Sequence, residues 1–348
     1  MDKEYSNNIK FKAELEKELN FANIGNDSND SETDCLIIKS ANAWIEQAKL
    51  RAIPKMLFSE FWFENELCIL FSDTNLGKSI LGVQICDSIS KGIPIYGFKL
   101  EKEPSKVLYF DFELSDKQFE KRCSNNYQDH YDFHNNFLRA EINPETVLPE
   151  IFKSYEEFLC HRIEKKIISQ NIKILVIDNI TYLRNDTEKA KDALHLMKLL
   201  NSLKKKYSLS VLVLAHTPKR DATKPITKND LSGSKMLMNF CDSSFAIGNS
   251  FQQNGLRYLK QIKQRNTEHI YDSNNVVLCN IEKKHNFLEF NFQGFDNEHD
   301  HLKVYNTNNS DDRLNTIHEL KNQGLSNVKI GEKLKISEGT VRNLIKNV

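Results

Sequence analysis

Paired cysteines, glycine, proline and long apolar runs are all scarce in this sequence, and each shortage removes a class of protein. Seven cysteines are scattered over 348 residues, odd in number and without a Cys-x-x-Cys pair. That spacing suits neither a disulfide framework nor a zinc knuckle, and it predicts free, buried thiols. Twelve glycines and seven prolines are too few for a fibrous or low-complexity chain. No apolar run approaches the roughly 20 residues of a membrane helix, and the opening residues lack the apolar stretch of a secretory signal. A cytoplasmic protein with no membrane partner is therefore expected. An excess of one charge is missing too, since 48 Lys+Arg balance 48 Asp+Glu. That balance argues against a polycation coating nucleic acid along its whole length, but it allows a local basic patch. The pairs His130/His134 and His299/His301 lack a Cys or Glu-x-x-His context and read as solvated surface rather than metal ligands.

What the sequence does contain is alternation. Short β-rich runs at Leu67–Phe71, Val107–Phe112, Ile174–Ile177 and Ser210–Ala215 are nearly continuously apolar, as parallel strands covered on both faces must be. Helical patterns fill the gaps at Lys78–Lys91, Asp116–Arg122, Pro149–Gln170 and Glu188–Tyr207. Later runs at Ser243–Ile247, Leu256–Ile262, Val276–Ile281 and Phe287–Phe292 have short links and are expected to be antiparallel. The fold class is thus α/β with a mostly parallel central sheet and right-handed crossovers. Before it, residues 1–35 carry nine Asp/Glu against four Lys and read as a flexible acidic segment, with a short helix allowed around Phe11–Phe21. The α/β domain spans 36–292. Residues 293–312, rich in Asn, Asp, His and Ser, read as a linker, and 313–348 form a small helical module.

The chemistry starts at Phe71-Ser72-Asp73-Thr74-Asn75-Leu76-Gly77-Lys78-Ser79. Gly-Lys-Ser alone is common, but here an apolar strand precedes it and an amphipathic helix follows, the setting of a P-loop. Backbone N–H groups of residues 72–79 and the helix N-terminus would cradle ATP phosphates. Lys78 would reach the β/γ oxygens, and the Ser79 hydroxyl would ligate Mg²⁺. The first glycine of the usual pattern is replaced by Ser72. About a hundred residues later, Ile174-Leu175-Val176-Ile177-Asp178 ends an apolar strand in a carboxylate, a Walker B arrangement in which Asp178 joins the Mg²⁺ shell. Between them, Val107–Glu113 ends in two acids, Asp111 and Glu113. Either could orient the attacking water. Strand alternation places both on one face, so periodicity does not choose.

Together these motifs resemble a RecA-type P-loop ATPase, more narrowly the RepA-like hexameric helicases and related AAA_25 proteins. The resemblance runs from about Trp44 to Phe292 and includes Ser40, Ala41 and Trp44, the Phe71–Ser79 loop, and Tyr109–Ser115 followed by Arg122. It implies a RecA-like core, tolerance of a non-glycine at position 72, and Glu113 rather than Asp111 as the catalytic carboxylate. It further implies that His216, ending Leu212-Val213-Leu214-Ala215-His216, senses the γ-phosphate. The following Asp230–Lys235 segment then resembles a loop near a central channel. Lys263 and Arg265 become a Lys-x-Arg finger inserted into the neighbouring subunit's site. The implied assembly is a homo-oligomeric ring, a hexamer being favoured, with single-stranded DNA in its channel.

The C-terminal segment has seven Lys/Arg and three Asp/Glu, and it resembles the helix-turn-helix of sigma-factor region 4 and LuxR-type regulators. Ser337 suits an N-cap, and Gly331 suits a close helix crossing. The duplex-DNA contacts expected are Ser337, Thr340, Arg342, Asn343 and Lys346, on a helix also displaying Glu338 and Gly339. Two functions follow: an ATP-driven helicase or mobile-element replication factor, or a nucleotide-controlled DNA-binding switch that does not unwind. A kinase using the same loop is the weaker third, because no acceptor pocket is legible.

Overall fold

The structure is a computed structural model and describes residues 36–143, 145–179, 191–231, 234–304, 310–334 and 336–346. The expected helix around Phe11–Phe21 lies outside these residues. The chain divides into two units, residues 1–53 and 54–348. In the first, helix α1 (Ala41–Lys49) starts at Ser40, whose Oγ accepts the Ala43 N–H at 3.2 Å. None of the side chains of α1 is buried, and Lys39 Nζ lies 5.2 Å from the centre of the Trp44 ring.

The second unit begins with a small ribbon, β1 (Met56–Phe58) and β2 (Trp62–Phe63). Strand β3 (Leu67–Ser72) leads through the glycine-containing loop into α2 (Lys78–Lys91). Then follow β4 (Val107–Asp111), α3 (Asp116–Arg122), the short β5 (Ser124–Asn125) and β6 (Asp129–His130), and β7 (Phe137–Ala140). Next come α4 (Tyr155–Gln170), β8 (Ile174–Asp178), α5 (Lys191–Tyr207), β9 (Ser210–His216) and α6 (Ser234–Phe240). The last strands are β10 (Ser243–Asn249), β11 (Leu256–Lys263), β12 (Val276–Lys284) and β13 (Phe287–Asp296).

Nine of these strands form one sheet in the order β13-β12-β11-β10-β3-β9-β8-β4-β7. The strands from β10 to β7 run parallel, and β11 to β13 extend the sheet in antiparallel fashion. This is the mostly parallel α/β core expected from the sequence, with three corrections. Strand β10 is parallel to β3, because α6 carries the chain back across the sheet before it. Strand β7 was not expected, since Phe137–Ala140 is an edge strand with every residue only partly buried and so lacks a continuous apolar run. The helix expected from Pro149 begins instead at Tyr155, where Ser154 Oγ accepts the Glu157 N–H at 3.2 Å.

Alternation along β3 divides the core. Leu67, Ile69 and Phe71 join the layer that includes Ile163, Ile167 and Leu200. Cys68 and Leu70 join the layer of Leu81, Ile85 and Ile89 from α2, as a two-residue period requires. All six described cysteines are buried and free. Register then sets the functional edge. Ser72 pairs with His216 and with Ile247, and Asp111 pairs with Asp178, so the carboxyl ends of five parallel strands converge.

Residues 294–304 do not behave as the linker read from composition. Strand β13 runs to Asp296, and Glu298 and His301 in the 3₁₀ turn Glu298–His301 are fully buried. Glu298 accepts from Ile226 N at 2.7 Å and pairs with Lys260 at 2.5 Å. His301 contacts Ser250 Oγ at 2.8 Å and Asp296 at 3.1 Å, so it is not the solvated side chain expected. The last helices, α7 (Ser310–Asn322), α8 (Asn327–Leu334) and α9 (Glu338–Lys346), enclose Ile317, Leu320, Ile330, Leu334 and Val341. A Cβ on Gly331 would lie 2.7 Å from the Ile336 carbonyl oxygen, so the α8–α9 turn needs a glycine there. Among the described residues no helix is long and apolar enough to cross a membrane.

Candidate functional site

The loop from Ser72 to Ser79 is shaped by its glycine. Gly77 has φ +97°, and a Cβ there would lie 2.7 Å from Ile281 Cδ1 and 2.9 Å from Phe290 Cε2. Both backbone conformation and space therefore require glycine. Thr74 and Asn75 form the exposed apex, while Asp73 and Leu76 are half-buried. Lys78 is only 6% exposed and folds back onto the loop. Its Nζ donates to the Ser72 carbonyl at 3.2 Å, the Ser72 Oγ at 3.3 Å and the Asp73 carbonyl at 3.2 Å. Ser72 thus supplies a hydroxyl to the lysine where the usual glycine has none. Burial lowers the Lys78 pKa, opposed by the charges of Asp178, Glu113 and Asp73.

Asp178 ends β8 fully buried. Tyr109 Oη donates to its Oδ2 at 2.5 Å, and the Ser79 hydroxyl at the start of α2 lies near enough to the same carboxylate to favour its charged form. Its Oδ1 has no hydrogen-bond partner among the described residues. Burial pushes the Asp178 carboxyl up to about 6, against the lowering effect of the Ser79 and Tyr109 hydrogen bonds. A hydroxyl beside a buried carboxylate with a free oxygen is a hard-oxygen donor set that fits Mg²⁺.

The two acids after β4 separate in structure. Alternation fails to keep them on one face, because the strand ends at Asp111. Asp111 is buried, takes the N–H groups of Glu113 at 3.2 Å and Leu114 at 2.9 Å, and pairs with Arg139 at 3.0 Å. It therefore builds the turn that presents Glu113. Glu113 reaches His216 at 3.2 Å and also accepts from Asn179 Nδ2. The hydrogen bond to His216 holds the Glu113 carboxyl below its ordinary pKa; burial opposes this, and the charges of His216, Lys78 and Arg122 assist it.

His216 links these parts. Its Nδ1 lies 3.0 Å from Lys78 Nζ, and its Nε2 lies 2.9 Å from Asn179 Nδ2. An ammonium only donates, so Nδ1 accepts from Lys78, while Nε2 faces both Asn179 and Glu113. Thr217 ties the same strand end to the loop through its N–H to Ser72 O at 3.0 Å and its hydroxyl to Asp73. Beside the loop opens a cleft lined by Asp73, Thr217, Arg220, Asn249 and Tyr258.

Thus Lys78, Ser79, Glu113, Asp178 and His216 come together around the Ser72–Ser79 loop. Lys263 and Arg265 do not. They lie at the opposite edge of the sheet, where Ser244 pairs with Lys263. There Lys263 donates to the Met238 and Cys241 carbonyls, the latter at 2.7 Å, and Arg265 pairs with Asp242 at 3.0 Å. In α9, Ser337 Oγ accepts the Thr340 N–H at 3.1 Å and also contacts the Thr340 hydroxyl. Arg342 pairs with Glu338 at 2.8 Å and Asn343 is exposed. The side chain of Lys346, like Ser232 and Gly233 of the Asp230–Lys235 segment, lies outside the described residues. Sequence reasoning missed Asn179 and Arg139. Asn179 was findable as the polar residue next to a strand-end carboxylate, whereas Arg139 sits on the strand that had no signal.

The family model for an AAA domain, AAA_25, matches residues 40–222, more than half of the chain. The chain belongs to the AAA_25 family. The matched stretch of this AAA_25 protein contains Lys78, Glu113, Asp178 and His216, while Lys263, Arg265 and the C-terminal helices lie beyond it. No curated protein matches the chain. Among solved structures, a KaiC-like protein from the hyperthermophilic archaeon Pyrococcus horikoshii OT3 is 15% identical, with a TM-score of 0.44 over 66% of this chain and 90% of that one.

Proposed function

We propose that this AAA_25 protein binds and hydrolyses ATP as a homo-oligomeric RecA-like ATPase acting on DNA. The observation that carries the reading is the meeting of Lys78, Ser79, Glu113, Asp178 and His216 at one sheet edge, with one buried Asp178 oxygen left without a partner among the described residues. ATP phosphates bind over residues 72–79, and Lys78 exchanges its loop carbonyls for β/γ oxygens. Ser79 and Asp178 hold Mg²⁺, which when bound neutralises charge on those oxygens. Glu113 orients a water, whose oxygen attacks the γ-phosphorus as the bond to the β-γ bridging oxygen breaks. Its proton passes to Glu113, and ADP leaves with the bridging oxygen. His216, touching both Lys78 and Glu113, reports whether the lysine is on the loop or on the phosphate. Lys263 and Arg265 act in the site of a neighbouring subunit, which suits their distance from their own loop. The test is phosphate release by Lys78→Ala and Glu113→Gln, together with particle mass with and without a non-hydrolysable analogue. Normal turnover in both variants would sink the site, and a strict monomer would remove the trans finger.

A second reading, a nucleotide-controlled DNA switch without unwinding, is favoured by one observation. Lys333 of α8 pairs with Asp221 at 2.6 Å, and Asp221 lies on the segment that follows His216. The α7–α9 unit is then a helix-turn-helix contacting duplex DNA through Ser337, Thr340, Arg342, Asn343 and Lys346. A strand-displacement assay separates the two readings. ATP-dependent unwinding supports the motor, whereas site-specific duplex binding without displacement supports the switch.

A further inference from the structure

One buried polar group is left unused by this mechanism. Tyr109 is in the middle of β4, paired across to Val176 on β8, with 0% of its surface exposed. Its neighbours in the same core layer are Val107, Val176, Leu214 and Leu81, a setting in which phenylalanine would pack equally well. Burying a hydroxyl there is costly unless it is hydrogen-bonded. The partner given for it among the described residues is Asp178 Oδ2, at 2.5 Å. The slot is built on both sides, since a Cβ on Gly82 of α2 would lie 3.2 Å from Leu214 and 3.6 Å from the Tyr109 ring. A phenol has one proton to give, and giving it to Oδ2 leaves Oδ1 as the oxygen without a partner among the described residues.

We propose that Tyr109 is a positioning residue for a divalent cation: it anchors one oxygen of Asp178 so that the other is presented, fixed and desolvated, beside Ser79. The inference rests on the reading that Ser79 and Asp178 hold Mg²⁺. Groups that orient a metal-binding carboxylate typically change metal affinity by about 10-fold to 100-fold when removed. Tyr109 would act on the metal only through the Asp178 carboxylate, so the lower end applies.

The experiment uses the full-length chain and a fluorescent ADP analogue, with binding measured in EDTA and across a Mg²⁺ titration for wild type, Tyr109→Phe and Asp178→Asn. Phenylalanine keeps the ring and the apolar fit, and a thermal melt of each variant confirms folding. The expected result is that Tyr109→Phe binds the analogue in EDTA as wild type does, while its Mg²⁺ half-point rises about 10-fold. Asp178→Asn should shift that half-point further. An unchanged half-point in Tyr109→Phe beside a shifted one in Asp178→Asn overturns the role of Tyr109 and leaves the metal site standing. Equal weakening in EDTA and in Mg²⁺ also overturns it, since the hydroxyl would then only support the fold. An unshifted half-point in Asp178→Asn removes the metal site and the inference together. Direct Mn²⁺ binding to the nucleotide complex, followed by electron paramagnetic resonance, should show the same order.

Discussion

The two edges of the central sheet carry similar residues and treat them in opposite ways. At the edge opposite the loop, Glu66 is buried yet accepts from Phe63 N at 3.1 Å, Ser243 Oγ at 2.6 Å and Asn266 Nδ2 at 2.8 Å. Asp242 accepts from Leu67 N at 2.9 Å and pairs with Lys204 at 2.5 Å and Arg265 at 3.0 Å. Both oxygens of each of these carboxylates have donors, so the two acids there serve the fold. At the loop edge, Asp178 keeps an oxygen without a hydrogen-bond partner among the described residues. Burial raises the carboxyls of both Glu66 and Asp178, so burial does not distinguish them. Satisfaction does, and an unsatisfied buried carboxylate oxygen needs an explanation, which the proposed cation would supply.

Four measurements break or sharpen this contrast. The largest effect is expected at the loop edge. Lys78→Ala and Glu113→Gln should each lower phosphate release by about 100-fold or more, with little loss of stability. The matching change at the other edge should do the reverse. Asp242→Ala leaves Lys204 and the Leu67 N–H without their acceptor, and should cost about 2–4 kcal/mol in urea unfolding.

Third, Asp178→Asn should stabilise the ligand-free protein at neutral pH. The folded carboxyl stands at about 6 against an ordinary 3.8, so between those values the native state binds more protons than the unfolded one. Stability from this group therefore falls as pH rises from about 4 to about 6. At pH 7 its cost is at most about 3 kcal/mol, from roughly two pH units at about 1.4 kcal/mol each. Melts of wild type and variant over pH 4–7 should diverge upward in that window; parallel curves would show that the carboxylate is not unsatisfied. The smallest effect is expected for Arg265→Ala, whose 56% exposed side chain makes an ion pair worth about 1 kcal/mol or less. A larger loss of stability would mean that Arg265 is structural rather than held in reserve for a neighbour.

The sequence was most legible where chemistry is local. Helices α2 and α3 begin and end where their patterns place them, because glycine at 77 and 92 and the Ser115–Gln118 capping box are short-range signals. Glu113 was less legible, since two acids two residues apart look equivalent along an ideal strand. Only the early end of β4 and the pairing of Asp111 with Arg139 separate them. The segment 294–304 misled for a related reason. Glu298 and His301 are polar by composition, yet Lys260 and Ser250 make their burial tolerable.

By itself, then, the sequence determined most of the core strands and helices, the phosphate-type loop and the acids at strand ends, because period, glycine conformation and capping act over a few residues. The tertiary structure decided which of those groups meet. Sheet order sets β9 between β3 and β8, which brings His216 against Lys78 and Glu113 across separations of 138 and 103 residues. It also decided that Asp178 is buried under Tyr109 with one oxygen to spare, since burial and hydrogen-bond satisfaction belong to the packed chain and not to any stretch of it.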